Sequence, residues 1–295
     1  MNLKSNNYIK QLQDAVNSKL DEFIPQIYPD TLFEAMRYSV LGSGKRLRAI
    51  FCVETCKAFG KPVELALPMA CAIEIIHAQS LIHDDLPCMD NDDFRRGKPS
   101  THKQFGEAMA VLAGDALIPY AYDVFLKHTP DSVSSDTKLK IVKEFSETIG
   151  PKGLVAGQVI DVETEGKLID KETLKYIHDN KSGALYRFAI RSGAILAECS
   201  ERELALITEF AEAIGLAFQI SDDILDITAT KDTLGKTPGK DQASGKNTYP
   251  LIYGFDNAVN ELNRLCDLSI NILKDNDIKS DVLSEIAQYI ADRIK

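Results

Sequence analysis

Two groups of aspartates set the chemistry available to this sequence. The first reads Asp84-Asp85-Leu86-Pro87-Cys88-Met89-Asp90, continues through Asn91-Asp92-Asp93 and runs into Arg95-Arg96-Gly97. The second reads Gln219-Ile220-Ser221-Asp222-Asp223-Ile224-Leu225-Asp226. Like charges three and four residues apart on a helix repel by about 0.2–0.5 kcal/mol, so such a group calls for a cation. Acids at a helix C-terminus also oppose the macrodipole, at about 0.3–1 kcal/mol. Magnesium suits both groups, because it is held by one or two carboxylates together with substrate phosphates. Either cluster alone is as well explained as a solvated helix end. Their recurrence, with basic motifs beside them, favours a site.

The basic motifs supply the counterpart. Gly42-Ser43-Gly44-Lys45-Arg46-Leu47-Arg48 is a tight turn with three cations. It suits a diphosphate, which Lys meets as a point charge and Arg as a planar fork. No Ser or Thr follows Lys45 and the preceding segment reads as helix, so this is not a nucleotide-binding P-loop. Arg95, Arg96, Lys181, Lys236, Lys240 and Lys246 add further cations, each of which alone reads as solvated surface.

The elements that must position these groups read as helices. Apolar residues recur at threes and fours in 31–41, and segments 65–85, 108–126, 138–149, 171–196 and 202–226 are each long enough for several turns. On the helix that precedes the first acids, Ala70, Ile73, His77, Leu81 and Asp84 form one stripe, and Pro87 stops the helix. At about 100° per residue, Gly215, Gln219, Asp222 and Asp226 share a stripe about 60° wide, opposite Phe210, Ala217, Ile220 and Ile224. The second set of acids is therefore predicted to face away from the core. Gly, Pro and Ser mark breaks at 42–44, 60–62, 87–99, 129–135, 150–151 and 228–249. The last of these, rich in Gly and Lys, reads as a lid over a water-excluding site or as a plain surface loop. Alternating strand patterns are scarce. The expected fold is all-α: one large helical bundle around a central cavity, with residues 1–295 as a single unit.

Composition bounds the function. The chain has 295 residues, 44% hydrophobic and 26% charged, which is enough apolar material for a large core and too little charge bias for disorder. A formal net charge of -10 disfavours nucleic acid and anionic membrane as partners, since both need basic surface. The six cysteines show no CxxC pair and the chain shows no secretory leader, so reduced thiols are expected. Cys52 and Cys56 share a helix face but, without a second pair, read as core. No apolar run is expected to reach the ~20 residues of a bilayer span, and the location read from these features is cytoplasmic.

The motifs occur in a recognisable order. From Glu34-Ala35-Met36-Arg37-Tyr38 and Gly44-Lys45-Arg46-Leu47-Arg48, through Ser80-Leu81-Ile82-His83-Asp84-Asp85, to Gly245-Lys246-Asn247-Thr248-Tyr249-Pro250, the chain resembles the trans-prenyl diphosphate synthases. That family includes the farnesyl and geranylgeranyl diphosphate synthases, and the five-residue spacing from Asp85 to Asp90 is similar to its bacterial and plastid form. The resemblance implies the isoprenoid synthase fold, a homodimer, and condensation of isopentenyl diphosphate with dimethylallyl, geranyl or farnesyl diphosphate, with release of diphosphate. It implies that Asp84, Asp90 and Asp222 hold three magnesium ions on the allylic diphosphate, with Asp85, Asp223 and Asp226 assisting. Arg95, Lys181, Gln219, Lys236 and Lys246 would complete that grip. Gly44, Lys45, Arg48, His77 and Arg96 would form the isopentenyl diphosphate site. Ser182, Gln219 and the carbonyl of Lys181 would present oxygen dipoles to an allylic carbocation.

Three positions depart from the family pattern: Ala49 where Pro is usual, Ser182 where Thr is usual, and Gln79 in place of an aromatic five residues before the first motif. That aromatic floors the pocket for the growing chain, so Gln79 implies a twenty-carbon product in preference to fifteen. The alternatives are a terpene cyclase of the same fold, whose second metal motif normally has an Asn/Ser/Glu pattern, or a non-catalytic synthase subunit. A di-iron bundle would need paired Glu-x-x-His motifs, and only Glu74 and His77 have that spacing.

Overall fold

Apolar residues at helical spacing wind most of the chain into α-helices. The structure, a computed structural model, describes residues 3–228 and 245–294. Its helices are α1 (Leu3–Phe23), α2 (Asp30–Val40), α3 (Leu47–Ala58), α4 (Val63–Asp84), α5 (Thr101–Phe105), α6 (Glu107–His128), α7 (Ser135–Ile149), α8 (Leu154–Glu163), α9 (Lys171–Ile177), α10 (Ala184–Leu196), α11 (Glu201–Thr228), α12 (Tyr249–Tyr253), α13 (Phe255–Asp275) and α14 (Asp281–Asp292). A π-helical turn, His178–Gly183, joins α9 to α10. The antiparallel pair β1 (Phe94–Arg95) and β2 (Lys98–Pro99) forms the one sheet among the described residues.

The long helices α4, α6, α10 and α11 line the interior. α4 packs against α6 and α3, α3 against α10, and α11 against α10 and α13. Phe51, Phe125, Phe145, Tyr186, Phe188 and Phe210 are fully buried between them. Phe145 and Phe188 stack with centroids 4.7 Å apart, and Phe51 meets Phe210 edge-on at 6.3 Å. Burying each such ring favours the fold by about 1.5–3 kcal/mol.

Two sequence expectations need correcting. Three helices, Val63–Asp84, Glu107–His128 and Glu201–Thr228, are by length and composition apolar enough to cross a membrane, contrary to the reading that no run reaches that length. For α4 and α11 the physical reason is their place in the bundle: a helix surrounded by others is apolar on most sides, which composition alone does not separate from a span. In the fold, 72% of the apolar window of α4 and 56% of that of α11 are buried, against 39% for α6. The second correction concerns 171–196. The single predicted helix is two helices broken by the π-helical turn. The cysteines are all free, and burial pushes the Cys52 and Cys56 thiols up to about 12, as inert core groups.

Candidate active site

The chain leaves α4 at Asp84 and folds back on itself. Asp90 N–H donates to the Asp84 carbonyl at 2.8 Å, and Asp92 N–H to that of Asp85 at 3.2 Å. This turn separates the two adjacent acids. Asp85 is buried, and its oxygens accept from Arg95 Nε at 3.0 and 3.2 Å and from Nη2. Asp84 is half-buried and lines a cavity of about 510 Å³ with Gln79, Met89, Val111 and Val159. It forms no ion pair with any described residue. Desolvation raises its pKa to about 6, against the opposing pull of Lys181. A charge held there lies in the field of Lys181, Arg95 and Lys246 but is paired directly with none of them.

On α11 the acids divide in the same way. The Asp222 side chain is 39% exposed, whereas Asp223 and Asp226 are buried. The predicted face away from the core therefore holds for Asp222 and fails for Asp226, because α10, α13, α14, α12 and the π-helical turn all pack around α11 and leave it little free face. Asp223 accepts from Gln219 Nε2 and from the Tyr249 backbone N–H, both at 2.7 Å, and His178 Nε2 lies 3.6 Å away.

Cations link the first cluster to Asp161 on α8. Lys246 Nζ is 2.9 Å from Asp90 Oδ1 and 3.9 Å from Asp161 Oδ2, and Lys181 Nζ donates to the same Asp161 oxygen at 2.6 Å. Lys181, Ser182, Gln219, Asp223 and Lys246 surround one small cavity of about 110 Å³. The π-helical turn sets Lys181 and Ser182 in place, and Gly157 on α8 lets it approach. A Cβ on Gly157 would lie 2.2 Å from the Lys181 backbone nitrogen and 2.8 Å from its Cα. An extra residue inside a helix is a recurrent device at functional sites.

The basic turn before α3 sorts its arginines. Arg46 is buried in a left-handed conformation (φ 51°) and consumed by the fold: Nε donates to Asn17 Oδ1 at 2.9 Å, Nη1 to Glu74 Oε2 at 3.2 Å, and Nη2 to the carbonyls of Val40 and Gly42. Glu74 is thus a structural partner, which removes it from any metal-binding pair with His77. Arg48 is differently held. Its guanidinium lies 4.2 Å over the ring of Tyr186, and Nη1 is 3.4 Å from His77 Nε2. Burial, reinforced by Arg48 and Arg96, keeps the His77 pKa well below its usual value, so the ring is neutral. Lys45 is exposed, with Nζ 3.1 Å from the Tyr289 hydroxyl.

Arg96 reaches the same region from the hairpin. Arg96 (φ 54°) and Gly97 (φ 77°) form the two-residue turn between β1 and β2, both left-handed as tight hairpin turns require. The guanidinium comes so close to Gly44 that a Cβ there would sit 3.2 Å from Arg96 Cζ. Gly44 thus makes room for Arg96.

Lys236, and with it residues 229–244 of the segment read as a lid, lies outside the described residues. The structure also adds residues that the sequence reading missed. Asp161 had one signal, an acid in the otherwise apolar run of α8. Arg293, whose Nη2 donates to Asp222 Oδ1 at 2.8 Å and whose guanidinium lies 4.8 Å over Phe218, had none beyond its charge.

The donor set fits magnesium. Among the described residues no three His, Cys, Asp or Glu side chains converge as a closed metal cage. A cation that takes one or two carboxylates and completes its shell with phosphates and water needs none. Asp84, unpaired and with a pKa raised by desolvation, has the hard oxygen donor such an ion requires.

Residues 29–290 match the family model for polyprenyl synthetases. The chain belongs to the polyprenyl synthetase family. It is 42% identical to the geranylgeranyl diphosphate synthase of Cyanophora paradoxa over 287 residues, covering 97% of this chain and 95% of that one. It is 40% identical to the farnesyl diphosphate synthase of Geobacillus stearothermophilus, with 97% of each chain covered. The crystal structure of an FPP/GFPP synthase from Zymomonas mobilis superposes with a TM-score of 0.86 at 35% identity, covering 99% of this chain and 100% of that one. This polyprenyl synthetase has the isoprenoid synthase fold and is a prenyltransferase, a short-chain prenyl diphosphate synthase.

Proposed function

We propose that this prenyl diphosphate synthase condenses isopentenyl diphosphate with allylic diphosphates in a magnesium-dependent reaction, and that the twenty-carbon geranylgeranyl diphosphate is its main product. The observation that carries the reading is that Lys246, paired with Asp90 of the first acidic cluster, meets Lys181 at Asp161 and lines one cavity with Lys181, Gln219 and Asp223 of the second. Magnesium, held by Asp84, Asp90 and Asp222, would neutralise the diphosphate and make it a leaving group. Lys181, Lys246 and Arg95 add cations to the same group. The allylic C1–O bond breaks with its electron pair going to diphosphate. Gln219 donates its amide hydrogens to Asp223, which leaves its oxygen for the cation that remains, beside the Ser182 hydroxyl and the Lys181 carbonyl. Lys45, Arg48, Arg96 and neutral His77 hold isopentenyl diphosphate, whose double bond attacks C1. The proton then lost passes to the departing diphosphate.

Product length turns on Gln79. Its Nε2 lies 3.1 Å from His83 Nδ1, so the amide nitrogen is engaged by its own helix, and the cavity it lines with His83, Val111 and Val159 has no Phe, Tyr or Trp among the described residues of its wall. Support for a homodimer comes from α6, which exposes Val111 and Leu112. A cytoplasmic location agrees with the acidic, cysteine-reduced chain.

Three measurements test this reading. Asp84→Ala and Asp222→Ala should each lower turnover by orders of magnitude with the helical circular dichroism intact; near-normal activity in either would defeat the metal assignment. With excess isopentenyl diphosphate the wild type should give mainly twenty-carbon product and Gln79→Tyr mainly fifteen. A wild type that already stops at fifteen carbons makes the chain a farnesyl diphosphate synthase. A monomer mass by light scattering would contradict the dimer.

A further inference from the structure

Tyr186 belongs to none of the sequence motifs, yet it is only 1% exposed at the centre of the basic half of the site. Phe51 meets its ring edge-on at 5.9 Å and Phe218 packs on it at a tilt at 4.9 Å, which fixes the plane of the ring. Upon that ring, at 4.2 Å, lies the guanidinium of Arg48. Its hydroxyl meets no polar group of the described residues.

We infer that Tyr186 is the positioning residue for isopentenyl diphosphate: its ring face holds the Arg48 guanidinium in place without using any of its N–H donors. The inference rests on the reading that Arg48 grips that diphosphate. The contrast with Arg46 two residues earlier supports it. Arg46 is immobilised by four acceptors, one of them the Glu74 carboxylate, so its charge is paired and at most one of its five N–H donors is left to offer. Arg48 pairs with no described carboxylate, its Nε meets no described acceptor, and its one polar neighbour is the uncharged His77. A flexible arginine gains rigidity from an aromatic face while keeping its charge and its fork for a phosphate. A carboxylate would give the rigidity and take away both.

The test uses the full-length enzyme, with isopentenyl and allylic diphosphates varied separately in steady-state kinetics. Tyr186→Leu should raise KM for isopentenyl diphosphate about tenfold, equal to about 1.4 kcal/mol and within the range of a desolvated cation–π contact, with KM for the allylic substrate unmoved. Tyr186→Phe, which keeps the ring and loses the hydroxyl, should stay within about twofold of wild type. Tyr186→pentafluorophenylalanine keeps the shape but reverses the charge of the ring face, and should behave as Leu does; it also decides the matter if the Leu variant does not fold. In an Arg48→Ala background none of these changes should have a further effect. An unchanged KM in the fluorinated variant, where Arg48→Ala itself raises KM, would overturn the positioning role and leave the Arg48 assignment standing. If Arg48→Ala leaves KM for isopentenyl diphosphate unchanged, the underlying reading falls, and the inference with it.

Discussion

Asp84 and Asp85 are neighbours of the same type, and the fold gives them different work. Asp85 is spent on Arg95, while Asp84 stays unpaired with a pKa near 6. That value lies above the 3.8 of an unstrained carboxylate, so the folded metal-free protein binds this proton more tightly than the unfolded chain does. Its contribution to stability is therefore complete below about pH 4 and lost as pH rises through about 6. In chelator, Asp84→Asn should melt close to wild type at pH 4.5 and progressively above it from pH 5.5 to 7.5; parallel melting curves would refute the effect. The arginines of the basic turn divide as sharply. Arg46→Ala strands Glu74, whose side chain is 3% exposed, and should cost about 3–5 kcal/mol in denaturant titrations. Arg48→Ala should unfold close to wild type. The sequence showed the cationic turn and both acid groups, because residue type and spacing carry that information. Which arginine is free depends on Asn17, Glu74 and Tyr186, all remote in sequence, and no local pattern contains it.

At the scale of the element, helical periodicity located α4, α6 and α11, and with them the ends where the acids sit. What it did not contain is the π-helical turn, since one extra residue changes neither composition nor the run of apolar positions between Lys171 and Leu196. The two-residue hairpin at Arg96-Gly97 escaped for a related reason: strands two residues long have no alternation to detect. The contact between α8 and the π-helical turn is a demanding one, backbone against backbone. Gly157→Ala would push a methyl group into the Lys181 backbone, an overpacking that costs about 1–3 kcal/mol. Because the displaced atoms are those that set Lys181 and Ser182, kcat should fall further than stability does. Thermal melting and single-turnover rates on the same preparation check this, and a stable variant with wild-type turnover would show that the close approach is dispensable.

Across the whole molecule, the charges of the site other than Asp84 and the diphosphate-binding cations beside His77 are largely matched already. Asp85 holds Arg95, Asp90 holds Lys246, Asp161 holds Lys181, and Asp222 holds Arg293 from the last turns of the chain. Loading the site is in this sense an ion exchange: carboxylates surrender lysine and arginine to the phosphates and receive metal in return. Neither party can complete the exchange alone, since a diphosphate without metal would strand the acids and a metal without diphosphate would strand the bases. Inorganic diphosphate and magnesium should therefore bind with strong mutual cooperativity, each at least tenfold more tightly in the presence of the other by calorimetry, a coupling of about 1.4 kcal/mol or more. The Arg293 contact adds a visible readout of that exchange. Arg293 must let go of Asp222 for the metal to enter, so amide hydrogen exchange in the last turn of α14, which leads into Arg293, should quicken as magnesium and diphosphate are added together.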